Sequence, residues 1–374
     1  MPRLATCGRP KTNEARNVMR VQAAASLLAA LFFAISAAGD ELTGAVYPAA
    51  AWEHIRNPAA AGWSQAGLDA VRARLANTQT TGFLAVYGGR VLMEYGDVQS
   101  TKAVASVRKS LLSTLFGNYV ESGKIRLDKT LLDLGIDDIG GLSAAEKEAT
   151  VRDLLSARSG IYHAASNGGD DSASAPARGS VSHGTYFLYN NWDFNALGTI
   201  FEKETGKNIY DAFENDLARP LGMQDFDRAA QRKTGNSSRS MHLAYHIRIS
   251  TRDLARIGYL MLREGKWSGQ QLVPREWVQE MTRAVTHVDQ MNPPRRRNGP
   301  FGYGYLWWIW DGKWADGPYR GAYTAIGLGG QHLSVFPALD LVIAHETHGL
   351  AVPHREFFDI VDVLIRSRCN SAPC

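Results

Sequence analysis

The sequence predicts an α+β fold. An antiparallel sheet is assembled from both ends of the chain, flanked by N- and C-terminal helices, with a mainly helical lobe inserted between its halves. Three observations predict this: a helix and a hairpin come first, helical patterns dominate from about 106 to 265, and strands with a closing helix come last. Ser64 to Thr78 places Leu68, Val71 and Leu75 at helical spacing. Gly82–Tyr87 and Arg90–Tyr95 flank Gly88-Gly89, the pattern of a hairpin with a two-residue turn. Ser250-Thr251-Arg252-Asp253 is a capping-box-like start for a helix running to Leu262. Tyr305–Trp310, Gln331–Phe336 and Leu341–His345 read as strands, and a last helix runs from Phe357 to Arg366. Residues 170–182 and 288–300 are polar loops, and the Arg295-Arg296-Arg297 run in the second reads as a solvated loop rather than an anion site. The domain thus spans 64–367: a sheet body over 64–105 and about 266–367, and a helical lobe over about 106–265. Residues 39–63 form an N-terminal extension and 368–374 a tail.

The chain has 374 residues, 45% apolar and 21% charged, with a formal charge of +4. That excludes disordered, collagen-like and disulfide-dense classes. Residues 1–38 hold Arg3, Arg9, Lys11, Arg16 and Arg20 against Glu14 alone, so the remainder balances at 36 basic and 36 acidic side chains. The neutral body gives no reason to expect nucleic acid. A basic n-region, the apolar run Val21–Ile35 and the small residues before Asp40 have the three parts of a secretory signal, cut after Ala38 or Gly39, with Met19 as an alternative start. The run is short for a bilayer span and holds Gln22 and Ser26, so no stable membrane span is expected after cleavage. A periplasmic or secreted location follows. In an oxidising compartment Cys369 and Cys374 either close a small loop or remain two free thiols in a frayed tail.

Three motifs carry the chemistry. Ser106-Val107-Arg108-Lys109 lies at a helix start, where three residues make about one turn and put the serine Oγ and lysine amine on one face. Serine becomes a nucleophile when an adjacent base takes its proton. Lysine serves as that base when burial lowers its pKa. The bland reading is Ser106 as a helix cap and Lys109 as a solvated residue. Tyr189-Asn190-Asn191 offers a phenol for proton relay and a carboxamide for a substrate carbonyl, or merely a tyrosine packed under a loop. Gly327-Leu328-Gly329-Gly330-Gln331 lets a substrate backbone approach an edge strand, with the Leu328 N–H completing an oxyanion hole, or is simply a tight entry turn. Gly-x-Ser-x-Gly, Gly-x-Gly-x-x-Gly and P-loop patterns are absent. His242/His246 and His345/His348 lack a metal-site context, so no metal or other cofactor is expected.

Together these motifs resemble the serine β-lactamase and penicillin-binding-protein superfamily. The class C-like branch of β-lactamase-related hydrolases, with its esterases, D-aminopeptidases and 6-aminohexanoate-oligomer hydrolases, looks closest. Thr150–Ile161, Gly184–Asn191, Pro220–Met223 and Ser250–Arg256 agree with it, and the likeness covers about residues 64–367. The resemblance implies a β-lactamase/transpeptidase-like fold. It implies Ser106 as acyl-accepting nucleophile, Lys109 as base and Tyr189 as general acid/base. Asn191 and Gly327 would contact substrate, and the N–H groups of Ser106 and Leu328 would hold the oxyanion. One departure matters: where that superfamily usually has Lys-Thr-Gly or His-Thr-Gly, this chain reads Ala325-Ile326-Gly327. No cation or hydroxyl remains there to grip a penicillin carboxylate, which favours a carboxylesterase or amidase over an efficient β-lactamase. Tyr303, Tyr305, Trp307 and Trp308 alternate on an expected strand, where some would wall an apolar acyl pocket and at least two would serve core packing.

The expected function is an exported serine hydrolase that cleaves a small-molecule amide or ester through an acyl-enzyme on Ser106. Two rivals are a penicillin-binding receptor or transpeptidase-like module that deacylates slowly, and a non-catalytic envelope binding protein. Nitrocefin turnover against a trapped acyl-enzyme separates the first. A Lys109 pKa near that of free lysine would favour the second.

Overall fold

Local signals in the sequence place most of the elements. A computed structural model describes residues 45–348 and 353–374; the expected signal segment and residues 39–44 of the N-terminal extension lie outside them. Ser64 caps helix α1 (Gln65–Leu75), its Oγ accepting from the Gly67 N–H. Strands β1 (Thr80–Tyr87) and β2 (Arg90–Gly96) follow, and Gly88 and Gly89 take φ of 59° and 85° in the turn, conformations that favour glycine. A short β3 (Thr101–Ala103) precedes helix α2 (Val107–Glu121), which carries Arg108 and Lys109. The lobe adds α3 (Ala144–Lys147), α4 (Val151–Leu155), α5 (Asn191–Thr205) and α6 (Ile209–Phe213).

The helical stretch also holds strand pairs that the sequence reading omitted. Strands β4 (Arg232–Thr234) and β5 (Ala244–His246) pair with each other, and β6 (Arg248–Ser250) pairs with β3. Each strand has only three residues, too few for an alternating pattern to stand out. Helix α7 (Thr251–Leu262) is capped by the Ser250 Oγ, which accepts from the Asp253 N–H at 3.3 Å. The Asp253 carboxylate does not close the box. It accepts from the Gln224 and Asp225 N–H groups instead, tying the lobe to the helix. A two-residue pair, β7 (Lys266–Trp267) with β8 (Gln270–Gln271), and helix α8 (Arg275–Met281) complete this part.

The last strands are β9 (Phe301–Tyr303), β10 (Trp308–Trp310), β11 (Tyr323–Gly327), β12 (Gln331–Phe336) and β13 (Leu341–Thr347), before helix α9 (His354–Arg366). They join β1 and β2 in a seven-stranded antiparallel sheet ordered β2-β1-β13-β12-β11-β10-β9. The expected single strand over Tyr305–Trp310 is corrected here. Leu306 has φ 62° and turns the chain back, so that Trp308 pairs with Tyr303 across a tight hairpin. The aromatic run masked that corner, because no glycine or proline marks position 306.

One face of the sheet packs α1 and α9, with Leu68, Val71, Phe83, Ile343, Phe357, Ile360 and Leu364 buried between them. The other face packs α2, α7 and the lobe. Gly258 sets the approach of α7, since a Cβ there would lie 2.4 Å from a Val342 methyl. Residues 46–374 form one compact unit. Cys369 and Cys374 are bonded, and their N–H groups donate to Gly62 and Ala59, fastening the tail to the start of the domain. Among the described residues no helix is long and apolar enough to cross a membrane.

Candidate active site

Ser106 occupies the N-cap position of α2, yet its side chain makes no capping bond. Its Oγ instead accepts from the Lys109 Nζ at 2.9 Å, and the same amine donates to the Tyr189 OH at 2.6 Å. Lys109 is 1% exposed, so the solvated-helix reading of this residue does not describe the structure. Burial, and after it the adjacent Arg108 guanidinium, hold the amine well below the ordinary lysine range. Burial pushes the Tyr189 phenol up to about 12. Burial thus favours the free amine more than in an ordinary lysine and keeps the proton on the phenol. The amine can accept the serine proton and the phenol can supply one.

The backbone around Ser106 is unusual. Ala105 has φ 47°, a left-handed conformation costly for a residue with a Cβ, immediately before the serine. Strand β11 then comes close: a Cβ on Gly327 would sit 2.5 Å from the Val104 carbonyl and 3.2 Å from the Ser106 nitrogen. Glycine at 327 is thus needed for the protein's own packing at the serine. The expectation of an edge strand is corrected, because β11 lies between β10 and β12. Its pairing with β10 nonetheless stops at Thr324 opposite Trp308. The corner at Leu306 takes β10 away, leaving Ala325–Gly327 open on that side.

A cavity of about 310 Å³ opens at this point, lined by Ser106, Tyr189, Ile326 and Leu328 together with Gly169, Asp170, Arg296, Phe301, Trp308, His354 and Phe358. Leu328, 57% exposed on the turn after β11, lines the same cavity as Ser106. Asn191 stands beside the cavity lining. Its N–H donates to the Asp170 carboxylate and its Nδ2 to the Gly168 carbonyl, both at 2.8 Å, shaping the loop that forms one wall. Its Oδ1 is buried without a partner among the described residues. Of the four aromatic residues singled out, only Trp308 reaches the cavity. Tyr303 supports Tyr189 edge-on, while Trp307 packs on Tyr323 and Tyr305 on Trp277.

Sequence reasoning missed Arg296, Asp170, His354 and Phe358. The arginine run is only partly a solvated loop: Arg295 and Arg297 are exposed, but Arg295 and Arg296 both pair with Asp171, itself 4% exposed, and the Arg296 guanidinium lies 5.0 Å from the Trp308 ring centre. Two buried-side partners in separate loops leave no periodic trace. His354 and Phe358 sit one turn apart on α9, and that i,i+4 pair was the available signal. A larger groove along β2, lined by His54, Arg56, Arg72 and Glu94, holds no comparable nucleophile and base. Among the described residues no cluster of metal-binding side chains occurs.

A mixed sheet-and-helix body with a serine, a buried lysine and a tyrosine joined at its cavity defines a β-lactamase-like fold. The beta-lactamase family model matches residues 69–358, and the chain belongs to that family. It is 26% identical over 297 residues to the 6-aminohexanoate-dimer hydrolase of Paenarthrobacter ureafaciens, covering 72% of this chain and 73% of that one. Its fold is shared with a penicillin-binding protein homologue from Caulobacter crescentus (TM-score 0.60, 15% identity, 82% and 99% of the two chains). A family VIII carboxylesterase shares the fold as well (TM-score 0.60, 15% identity, 84% and 99%).

Proposed function

We propose that this protein is an exported serine hydrolase that cleaves an amide or ester bond through an acyl-enzyme on Ser106. The observation that carries the reading is the single buried amine of Lys109 bonded to both the Ser106 Oγ and the Tyr189 OH. In acylation, the Ser106 oxygen attacks the substrate carbonyl carbon as its proton passes to Lys109. The developing oxyanion is held by the N–H groups of Ser106 and Leu328. Tyr189, whose phenol keeps its proton, donates to the departing amine or alkoxide and is restored through Lys109. Water, activated by the same pair, then attacks the acyl carbon and returns the proton to Ser106. Asn191, whose Nδ2 donates to the Gly168 carbonyl, holds the loop wall against which the substrate would lie.

Ala325, Ile326 and Gly327 provide no charged grip on the β11 side, while Phe301, Trp308 and Phe358 give the cavity aromatic walls. These features support a bulky apolar acyl group, and carboxylesterase or amidase activity over efficient β-lactam hydrolysis. The relative named for 6-aminohexanoate-dimer hydrolysis makes linear amides a natural part of the substrate panel. The test is hydrolysis of p-nitrophenyl esters, D-amino-acid amides, linear amide oligomers and nitrocefin, with Ser106→Ala in parallel. Ester or amide turnover that vanishes in the variant supports the reading. Turnover that persists in the variant overturns it. The export segment is tested by N-terminal sequencing of the protein recovered from the periplasm or medium.

A further inference from the structure

The turn Leu328-Gly329-Gly330 joins β11 to β12, and Leu328 lines the cavity. Gly329 and Gly330 take φ of 86° and 99° and have no side chains with which to anchor themselves. Their carbonyls are anchored instead from the face of the sheet opposite Ser106. The Gly330 oxygen lies 3.0 Å from His332 Nδ1 and 2.7 Å from His345 Nδ1. A carbonyl only accepts, so both imidazoles carry their proton on Nδ1 and donate it there. The Gly329 oxygen accepts from the Thr347 hydroxyl, which in turn accepts from the Gln331 Nε2 at 3.0 Å.

The far nitrogens are consistent with this assignment. With Nδ1 protonated in a neutral ring, Nε2 must accept. For His345 it accepts from the Thr80 hydroxyl at 2.8 Å, and for His332 from the His354 Nδ1 at 3.1 Å. Both rings are fully buried, and Phe357 stacks on His332 with ring centres 3.9 Å apart. Burial lowers both imidazole pKa values, His345 to about 4, so the rings stay neutral and the donors stay in place. His354 also lines the cavity, which connects this chain of bonds to the substrate side.

We infer that His332, His345 and Thr347 are positioning residues: three side-chain donors on the rear face of the sheet lock the glycine turn so that the Leu328 N–H points at the oxyanion. The inference rests on the hydrolase reading above. Neither histidine touches substrate. Each acts through the carbonyls of Gly329 and Gly330, one and two residues after Leu328 in the same turn. A preorganised donor stabilises the transition state more than the bound substrate, so loosening the turn should lower kcat and leave KM nearly unchanged.

The experiment measures kcat, KM and the affinity of a phenylboronic acid, which forms a tetrahedral adduct on serine, for wild type, His345→Leu, His345→Asn, Thr347→Val and Ser106→Ala. Asparagine places its Nδ2 near the position of the histidine Nδ1 and keeps a donor; leucine does not. Thr347→Val is nearly isosteric and provides a folded variant if His345→Leu fails to fold. The expected result is a fall in kcat of up to about 100-fold for the leucine and valine variants, less than the full loss of an oxyanion donor. KM should stay within about twofold, boronate affinity should fall in step with kcat/KM, and asparagine should restore most of both. A folded Thr347→Val with unchanged kcat and boronate affinity, or a change confined to KM, overturns the positioning role alone. Hydrolysis that survives Ser106→Ala, with no boronate bound by wild type, overturns the hydrolase reading and this inference with it.

Discussion

The two walls of the cavity handle charge in opposite ways. On the α2 wall, Lys109 is buried, bonded to Ser106 and Tyr189 and held below its usual pKa, as the proposed role of base requires. On the β11 wall, Ala325 and Ile326 carry no charge at all. A positive charge does border the cavity at Arg296, but it comes from the 295–297 loop and is already held by Asp171. The proton-transfer machinery depends on atoms at fixed distances from one another, whereas the substrate wall depends on shape and on which charges are absent. Under the proposed function, one wall sets the reaction and the other the choice of acyl group.

Removing the base breaks the comparison most severely. Lys109→Met should lower kcat/KM at least about 10³-fold with the fold intact, and Tyr189→Phe should cost about 10²-fold, read with the best ester substrate. If Lys109→Met retains activity, the α2 wall does not set the chemistry. The pH profile sharpens the same point. Only the free amine accepts the serine proton, so kcat/KM should rise with pH through the depressed Lys109 pKa and fall away at lower pH. The phenol, near 12, contributes no descending limb at neutral or mildly alkaline pH. Arg108→Met removes a neighbouring positive charge, the second cause of the lowering after burial, and should move the rising limb to higher pH.

The substrate wall should respond differently. Trp308→Ala opens the aromatic side of the cavity and should raise KM for bulky aryl or long-chain esters by about tenfold, with a smaller effect on acetate esters. An equal loss for both acyl groups would mean that Trp308 serves the chemistry instead. The smallest effect is expected farthest from the cavity. Cys369→Ser with Cys374→Ser should lower stability by no more than about 2 kcal/mol in thermal unfolding, because the closed loop is short, and should leave kcat unchanged.

Much of the fold was legible because periodicity and turn chemistry act locally. The Gly88-Gly89 hairpin, α1 behind Ser64, and β12 over Gln331–Phe336 all emerge from patterns within about 15 residues of sequence. The broken strand at Leu306 was not legible, because a positive φ on leucine is imposed by packing that no local pattern records. The site divides in the same way. Ser106 and Lys109 lie one helical turn apart, a spacing that is legible in the sequence but weak when taken alone. Tyr189 joins them across 80 positions and was found only through the joint pattern of three motifs. Arg296, Asp170 and the histidines behind the glycine turn became visible only once the chain was folded. Their partners lie on other loops or strands, and pairing at such separations leaves no spacing to read.

The central claim is a covalent acyl group on Ser106. Mixing the protein with a slowly deacylating ester, quenching in acid within the first turnovers and mapping the digest by mass spectrometry tests it directly. The account predicts one added acyl mass on the peptide containing Ser106, formed faster than steady-state turnover and absent from Ser106→Ala. A stable adduct on a different residue, or turnover with the Ser106 peptide unmodified throughout, would contradict it.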